Sequence, residues 1–253
     1  MTGLEMVAIL LAGVAAGTIN TVVGSGTLIT FPTLLAFGVP PVTANVSNTI
    51  GLVPGSASGA WGYRRELRGQ RGRLLRLGSA SLLGGIGGAA LLLALPAEAF
   101  DTIVPALILA GVVLVLFQPA IARRVAARAE RRGGVPEHGA LWVWLLVMLT
   151  GVYGGYFGAA QGVLLMAVLG VGLQDSLQRL NGTKNVLAGI VNGVSALVFI
   201  AVADVDWRIA GLIAVGSVIG GQVGATVGRR LPPLGLRLVI VTVGLVAVVA
   251  FLR

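Results

Sequence analysis

The chain has 253 residues, of which 56% are hydrophobic and only 11% charged, and its mean hydropathy is +0.96. A soluble domain carries about 25% charged residues, so this composition excludes an ordinary soluble protein and indicates an integral membrane protein. No cysteine is present, which excludes disulfides, thiol catalysis and cysteine metal sites. The net charge of +9 lies mainly in two arginine-rich stretches between apolar segments. Such stretches indicate cytoplasmic loops, not a nucleic-acid-binding surface.

The first half of the chain is predicted to begin with an interrupted membrane segment. Residues 4–23 form an apolar helix that ends at the break Gly24-Ser25-Gly26. Residues 28–37 are apolar, but at 1.5 Å per residue they cover only about half of a ~30 Å bilayer core. They are either a re-entrant half-helix or part of a broken, tilted span. After a turn at residues 38–41, residues 42–61 form a third helix with a polar start.

An arginine-rich loop and a basic linker divide the rest of the first half. Six arginines follow the third helix: Arg64, Arg65, Arg68, Arg71, Arg73 and Arg76. The apolar segments 77–95 and 102–117 come next, joined by a short acidic turn at residues 96–101. Residues 119–139 are predicted to be a basic cytoplasmic linker.

The second half repeats the plan of the first. In chain order we predict a helix at 141–157, a break at 158–161, a short segment at 162–169, a turn at 170–175, a long helix at 176–202, and apolar segments at 209–227 and 238–252. At a constant offset of 134, Gly17, Gly24, Gly38, Thr49 and Gly55 fall on Gly151, Gly158, Gly172, Thr183 and Gly189.

The loop charges predict how the two halves are related. The loop after residue 61 is basic, whereas its counterpart at residues 203–207 is acidic. The turn near Pro96 is acidic, whereas its counterpart near Pro232, with Arg229, Arg230 and Arg237, is basic. Because basic loops stay in the cytoplasm, equivalent loops lie on opposite sides of the membrane, as in an inverted-topology repeat.

The predicted fold is therefore an all-α polytopic membrane protein with two inverted repeats, residues 1–118 and 140–253. Short, interrupted helices lie at the repeat interface. If the short segments cross the membrane, each half has five crossings, and if they re-enter without crossing, each half has four. The range is about 8–10 membrane segments. Interrupted segments at corresponding positions of two halves are typical of a secondary transporter's binding site.

Lys184 is the first candidate for that site. It is the only lysine in the chain, and at 1.5 Å per residue it lies ~12 Å into the predicted long helix. Ionisable residues at such depth mark functional sites, since an unpaired charge there costs a few kcal/mol. We predict that Lys184 faces a polar cavity and pairs with an anionic substrate. The alternative is that its side chain reaches back to the cytoplasmic interface.

The two breaks are the second candidate. A helix interrupted within the membrane leaves backbone N–H groups free, and these donors suit an oxyanion. The residues concerned are Gly24, Ser25, Gly26 and Thr27 in the first half, and Gly158 and Gln161 in the second. The alternative for the glycines is close helix packing.

Polar clusters at the start of the two long helices complete the predicted site. They comprise Asn45, Ser47, Asn48 and Thr49 in one half, and Asn181 and Thr183 in the other. Further candidates are Asn20, Tyr153, Arg179, Asn185 and Asn192. These side chains line the site or form interhelical hydrogen bonds. For Arg179 we expect an ion pair with Asp175, four residues earlier, and for Asp175 an N-cap role.

Enzymatic chemistry finds little support in the sequence. The single histidine, His138, lies in the basic linker, and no phosphate-binding loop of the G-x-x-x-x-G-K-[ST] type is present. We therefore expect no metal, no cofactor and no catalytic residue.

These motifs resemble the TauE/SafE sulfite exporter family of bacterial membrane permeases. In the first half the resemblance rests on Gly24-Ser25-Gly26, Phe31-Pro32, Gly38-Val39-Pro40 and residues 45–49. In the second half it rests on Gly158, Gly172 and the run Asn181-Gly182-Thr183-Lys184. One departure is the second break, which reads Gly158-Ala159-Ala160-Gln161 and lacks the Gly-x-Gly of the first.

The resemblance implies a multi-pass permease of the bacterial inner membrane that moves a small sulfur-containing anion, such as sulfite, thiosulfate or an organosulfonate, by alternating access. Its partners would be that substrate and the lipid bilayer, without nucleic acid. The alternatives are another small carboxylate or inorganic anion as cargo, a membrane-embedded lipid phosphatase, or an assembly subunit.

Overall fold

The structure is a computed structural model that describes residues 1–129, 139–227, 235, 238, 240–243 and 245–246. All regular secondary structure within these residues is α-helical. The helices are α1 (Gly3–Val22), α2 (Thr27–Ala36), α3 (Pro41–Gly62), α4 (Arg71–Ala94), α5 (Ala97–Ala129), α6 (Leu141–Tyr156), α7 (Gln161–Gly172), α8 (Leu177–Val202) and α9 (Trp207–Thr226).

The helix lengths and compositions suit a bilayer. Among the described residues, five stretches are long and apolar enough to cross a membrane: α1, α4, α8, α9 and residues 98–120 of α5. The helices α2, α6 and α7 are apolar but shorter. The prediction of an all-α polytopic membrane protein is confirmed, whereas the inverted relation of the halves and the number of crossings stay predictions.

The closest helix packing joins one half of the chain to the other. Helix α1 lies against α9, and α6 lies against α4. Small residues permit both contacts, because a methyl group at Gly17 would overlap the carbonyl oxygen of Ser217 and one at Gly88 would overlap that of Val152. Such small-residue interfaces are typical of membrane helices, whose backbones approach closely.

The long helices α3 and α8 lie side by side and run antiparallel. Near one end, Asn181 on α8 donates to the hydroxyl of Tyr63, which directly follows α3. Further along, Asn192 on α8 donates to Ser56 on α3. As residue numbers rise on α8 they fall on α3, which fixes the antiparallel direction.

The sequence-based boundaries are wrong at the end of α7, which continues to Gly172 and so into the turn predicted at residues 170–175, and at three further places. The acidic turn predicted at residues 96–101 is helical, because α5 already begins at Ala97 and continues to Ala129, through Pro105 and Pro119. This helix places Glu98 and Asp101 in its first two turns and extends into the segment predicted as linker. Helix α4 begins at Arg71, six residues before the predicted start at 77.

The third correction concerns the start of α8. Its N-cap is Ser176, whose hydroxyl accepts a hydrogen bond from the backbone N–H of Arg179, so Asp175 is not the N-cap. The predicted turn with Arg229, Arg230 and Arg237, and residues 130–138 of the linker, lie outside the described residues.

Candidate functional site

The two glycine breaks contact each other directly. The backbone N–H of Gly162, at the start of α7, donates to the carbonyl of Gly24 over 2.9 Å. A methyl group at Gly24 would overlap the Cα atom of Gly162, and Gly24 has a left-handed φ of +89°. Only glycine combines this φ with so close an approach. We call residues 24–27 and 158–162 together the break junction.

The backbone of the second break differs from that of the first. Gly158 has a φ of +76°, close to that of its counterpart Gly24. Ala160 also has a left-handed φ, of +60°, whereas its counterpart Gly26 has a φ of −59°. The local path of the chain therefore differs between the two breaks, and the left-handed φ of Ala160 costs roughly 1–2 kcal/mol for a non-glycine residue.

Two buried polar groups at the break junction lack hydrogen-bond partners among the described residues. They are the hydroxyl of Ser25 and the amide nitrogen of Gln161. The Gln161 side chain lies directly over the backbone of Gly154 on α6. An unsatisfied buried donor costs about 1–3 kcal/mol, so each group gains from a ligand that offers acceptor oxygens.

Lys184 is fully buried and reaches the end of α1. Its ammonium donates to the carbonyl oxygens of Asn20 at 3.1 Å and Thr21 at 3.0 Å. The amides of Asn181 and Asn185 also donate to Thr21, each over 3.3 Å. The last carbonyls of a helix lack partners within the helix and form the negative end of its dipole. Lys184 therefore caps α1 and does not extend to the surface.

The charge of Lys184 has no carboxylate partner within the described part of the chain, where both ion pairs involve Asp175. An ammonium has three donor hydrogens, and the two carbonyls account for two. Buried charges are normally paired. The third hydrogen of the ammonium thus has no partner among the described residues.

The polar cluster of α3 forms hydrogen bonds to the break junction and to the end of α6. Asn48 accepts from Thr30 on α2 and donates to Thr27 at 3.3 Å. Asn45 donates to the carbonyl of Tyr156, the last residue of α6, at 2.9 Å. Thr49 donates back to the carbonyl of Asn45. The amide oxygen of Asn45 has no partner among the described residues.

Arg179 and Thr183 belong to a separate network at the arginine-rich end of the molecule. Asp175 accepts from Arg73 at 2.6 Å and forms the expected ion pair with Arg179 at 2.8 Å. Thr183 donates to the side chain of Gln70, which also accepts from Arg73. Burial alone would raise the pKa of Asp175, but the hydrogen bonds from Arg73 and Arg179 outweigh it and hold this pKa below its ordinary value.

The remaining candidates make structural contacts. Ser47 accepts from the backbone N–H of Asp206, at the start of α9. Asn192 donates to Ser56 between α3 and α8. The hydroxyl of Tyr153 donates to the carbonyl of Ala159 and so supports the second break. No group of His, Asp or Glu side chains suited to a metal occurs within the described ranges.

The structure thus brings part of the predicted site together. Gly24, Ser25, Thr27, Gly158 and Gln161 meet at the break junction, Asn48 touches it, and Lys184, Asn20, Asn181 and Asn185 gather at the end of α1. Sequence reasoning missed Thr21, which contributes a backbone oxygen that no residue pattern reveals. It also missed Thr30 and Tyr63, whose partners lie on other helices.

Known proteins resemble the chain along most of its length. The family model described as sulfite exporter TauE/SafE matches residues 9–251. A probable membrane transporter protein of Sinorhizobium sp. is 28% identical over 85% of this chain and 79% of its own. Those of Haemophilus influenzae and Escherichia coli K12 (YfcA) are each 26% identical over 88% of this chain, and over 85% and 82% of their own. No solved structure matches the chain significantly.

Proposed function

The chain belongs to the sulfite exporter TauE/SafE family, and we propose that it transports a small sulfur-containing anion such as sulfite, thiosulfate or an organosulfonate. It is a multi-pass transporter of the bacterial inner membrane and not an enzyme. A membrane-embedded lipid phosphatase is therefore set aside. The names of the relatives specify a membrane transporter without a substrate, so the cargo is argued from the site.

The observation that carries this proposal is the complete burial of Lys184, the only lysine in the sequence. No acidic side chain among the described residues neutralises it, and two backbone carbonyls hold its ammonium at the end of α1. A lone cation within the membrane is stabilised by an anion that enters the site. Lys184 thus selects for negative charge.

The break junction supplies hydrogen-bond donors for oxygen atoms. Ser25 and Gln161 each offer a buried donor without a partner among the described residues, one from each half of the chain. A sulfur oxyanion presents several acceptor oxygens and can bind both donors at once, and charge-assisted hydrogen bonds are about twice as strong as neutral ones. The proposed site therefore runs from the break junction to Lys184.

Alternating access about this site completes the proposal. The equivalent helices α3 and α8 run antiparallel, which supports an inverted relation between the proposed repeats 1–118 and 140–253. Both repeats contribute to the break junction, as in transporters whose repeats rock against each other around a midplane site.

Anion binding to detergent-purified protein tests the proposal. We expect saturable binding of sulfite, thiosulfate or sulfoacetate, with each of the variants Ser25→Ala and Gln161→Met weakening it by roughly tenfold, as expected for one lost hydrogen bond to a charged group. Ser81→Ala is the matched control, because the Ser81 hydroxyl on α4 is also buried without a partner among the described residues. Its binding should match wild type.

Three results would contradict the proposal in different ways. Tighter binding of a carboxylate than of any sulfur oxyanion would show that the proposed substrate is wrong, while the proposed binding site would stand. If Ser81→Ala weakened anion binding equally, the effect would not be specific to the break junction, and the break junction would not belong to the binding site. Absence of binding by all these anions in folded wild-type protein would reject anion transport as proposed.

A further inference from the structure

The arginine-rich loop between α3 and α4 encloses a concave basic surface. An open cavity of about 450 Å³ is lined by Arg64, Leu67, Arg68, Gly69, Arg71 and Gly72. Its volume lies within the range of about 300–1,000 Å³ that ligand sites have. We call this cavity the arginine pocket.

The described part of the chain places no carboxylate in the arginine pocket. Arg64, Arg68 and Arg71 are exposed, and none of them forms an ion pair among the described residues. Glu66 is the only acidic residue between Trp61 and Arg76 in the sequence, and it does not line the cavity. Asp175, across the interface, is already bound by Arg73 and Arg179. Three arginines therefore line a cavity whose described lining contains no carboxylate.

Apolar side chains flank the arginine pocket. Trp61, at the end of α3, is 65% exposed, and the guanidinium of Arg64 stacks over its ring at 5.1 Å. Leu75 is 77% exposed and lies one helical turn after Arg71, on the same face of α4. Exposed tryptophan is typical of the membrane–water interface, where its ring sits at the headgroup level.

These features distinguish the pocket arginines from a plain topology signal. A topology signal requires only positive charge on the cytoplasmic side, which Arg65 and Arg76 also provide without lining the cavity. In Arg64, Arg68 and Arg71 the charge is concentrated in one concavity between Trp61 and Leu75. Guanidinium groups bind phosphate oxygens in bidentate fashion.

We propose that the arginine pocket binds the headgroup phosphate of an anionic phospholipid from the cytoplasmic leaflet. The phosphate lies among Arg64, Arg68 and Arg71, and the acyl chains run along Trp61 and Leu75. Basic pockets at the cytoplasmic ends of membrane helices bind anionic headgroups in this way. This site is separate from the break junction, and it does not depend on what the protein transports.

The test is lipid binding by full-length protein in neutral detergent, with phosphatidylglycerol as the probe and phosphatidylcholine as the uncharged comparison. Native mass spectrometry counts the bound lipid. The pocket variant R64Q/R68Q/R71Q is compared with R65Q/R76Q/R208Q, which removes the same number of exposed charges outside the cavity. Both variants must keep the melting temperature of wild type, which shows that they are folded.

We expect the pocket variant to bind phosphatidylglycerol about 100-fold more weakly than wild type, because the loss of each arginine should weaken binding to an anionic lipid about fivefold. The control variant should change binding less than about threefold. Equal loss in both variants would overturn the proposal, because net charge and not the pocket would then hold the lipid. Failure of wild type to prefer phosphatidylglycerol to phosphatidylcholine would also overturn it.

Inorganic phosphate separates a lipid from a soluble anion as the ligand. If millimolar phosphate displaces phosphatidylglycerol, the pocket recognises a free anion, and the lipid assignment is wrong. If phosphatidylglycerol stays bound under these conditions, the flanking apolar side chains contribute, as the proposal requires.

Discussion

The ends of α1 and α6 are equivalent in the repeat but differ in chemistry. At the end of α1, one ammonium and two amides donate to the carbonyls of Asn20 and Thr21. At the end of α6, only the neutral amide of Asn45 donates, to the carbonyl of Tyr156. Both helices stop before a glycine with a left-handed φ, and both are capped from the opposite half.

This difference shows which properties the repeat preserves. Backbone interruption and cross-capping occur twice, whereas the cation occurs once, because the counterpart of Lys184 at the offset of 134 is Ile50. The two breaks therefore correspond in sequence, whereas the proposed site beside them is asymmetric. The binding affinity for the proposed anion should therefore depend more on the groups at the end of α1 than on those at the end of α6.

Removal of the cation should have the largest effect. In Lys184→Ala we expect anion affinity to fall by more than about 100-fold, since breaking a buried charge pair costs roughly 3–5 kcal/mol. Asn45→Ala, which removes the cap of α6, should lower affinity by less than about tenfold. Equilibrium binding and the melting temperature are measured for both. Unchanged affinity together with a lower melting temperature in Lys184→Ala would reduce this residue to a helix cap.

The two break glycines give the next comparison. Gly24→Ala should destabilise the protein by roughly 2–5 kcal/mol, because the methyl group meets the Gly162 backbone and the φ is left-handed. Gly158→Ala should cost only about 1–2 kcal/mol, since its nearest atom is the Gly154 carbonyl oxygen at 3.0 Å. Thermal unfolding in detergent ranks the two variants. Equal losses would mean that the direct contact between the breaks adds nothing to stability.

The ion pairs of Asp175 have a smaller effect with a defined pH dependence. Asp175→Asn should lower stability by about 1–3 kcal/mol, because Arg73 and Arg179 lose a charged acceptor. Since the pKa of Asp175 is lowered on folding, its contribution is complete above the ordinary value of about 3.9 and is lost as pH falls through the folded pKa. The difference in melting temperature between wild type and Asp175→Asn should be constant from pH 8 to pH 5. A difference that disappears within this range would contradict the assignment.

The smallest effect is expected at the opposite end of the molecule. Ser47 accepts a single hydrogen bond from the backbone of Asp206. Ser47→Ala should therefore cost about 1 kcal/mol and leave anion affinity unchanged. A loss of stability as large as that of Asp175→Asn would contradict this ranking, because the neutral hydrogen bond would then contribute as much as the ion pairs.

Most helices and both breaks could be predicted from the sequence, because apolar runs, glycines and prolines act locally. The start of α5 could not, since Glu98 and Asp101 in a short polar stretch resemble a turn until packing supports the helix. For the candidate site, local sequence predicted that Lys184 is embedded. It could not predict that the ammonium reaches Asn20 and Thr21, because that contact joins residues 163 and 164 positions apart.

The packing of α1 on α9 and of α6 on α4 has a consequence for biosynthesis. Helix α1 enters the membrane well before its packing partner α9, which is completed only at Thr226. The small-residue face around Gly17 therefore lacks its α9 partner while the helices between α1 and α9 are inserted. Neither half made alone can bury this face or its counterpart on α4, so the halves mature together. Two separately translated halves should assemble with each other, whereas a single half should remain a client of membrane chaperones and proteases.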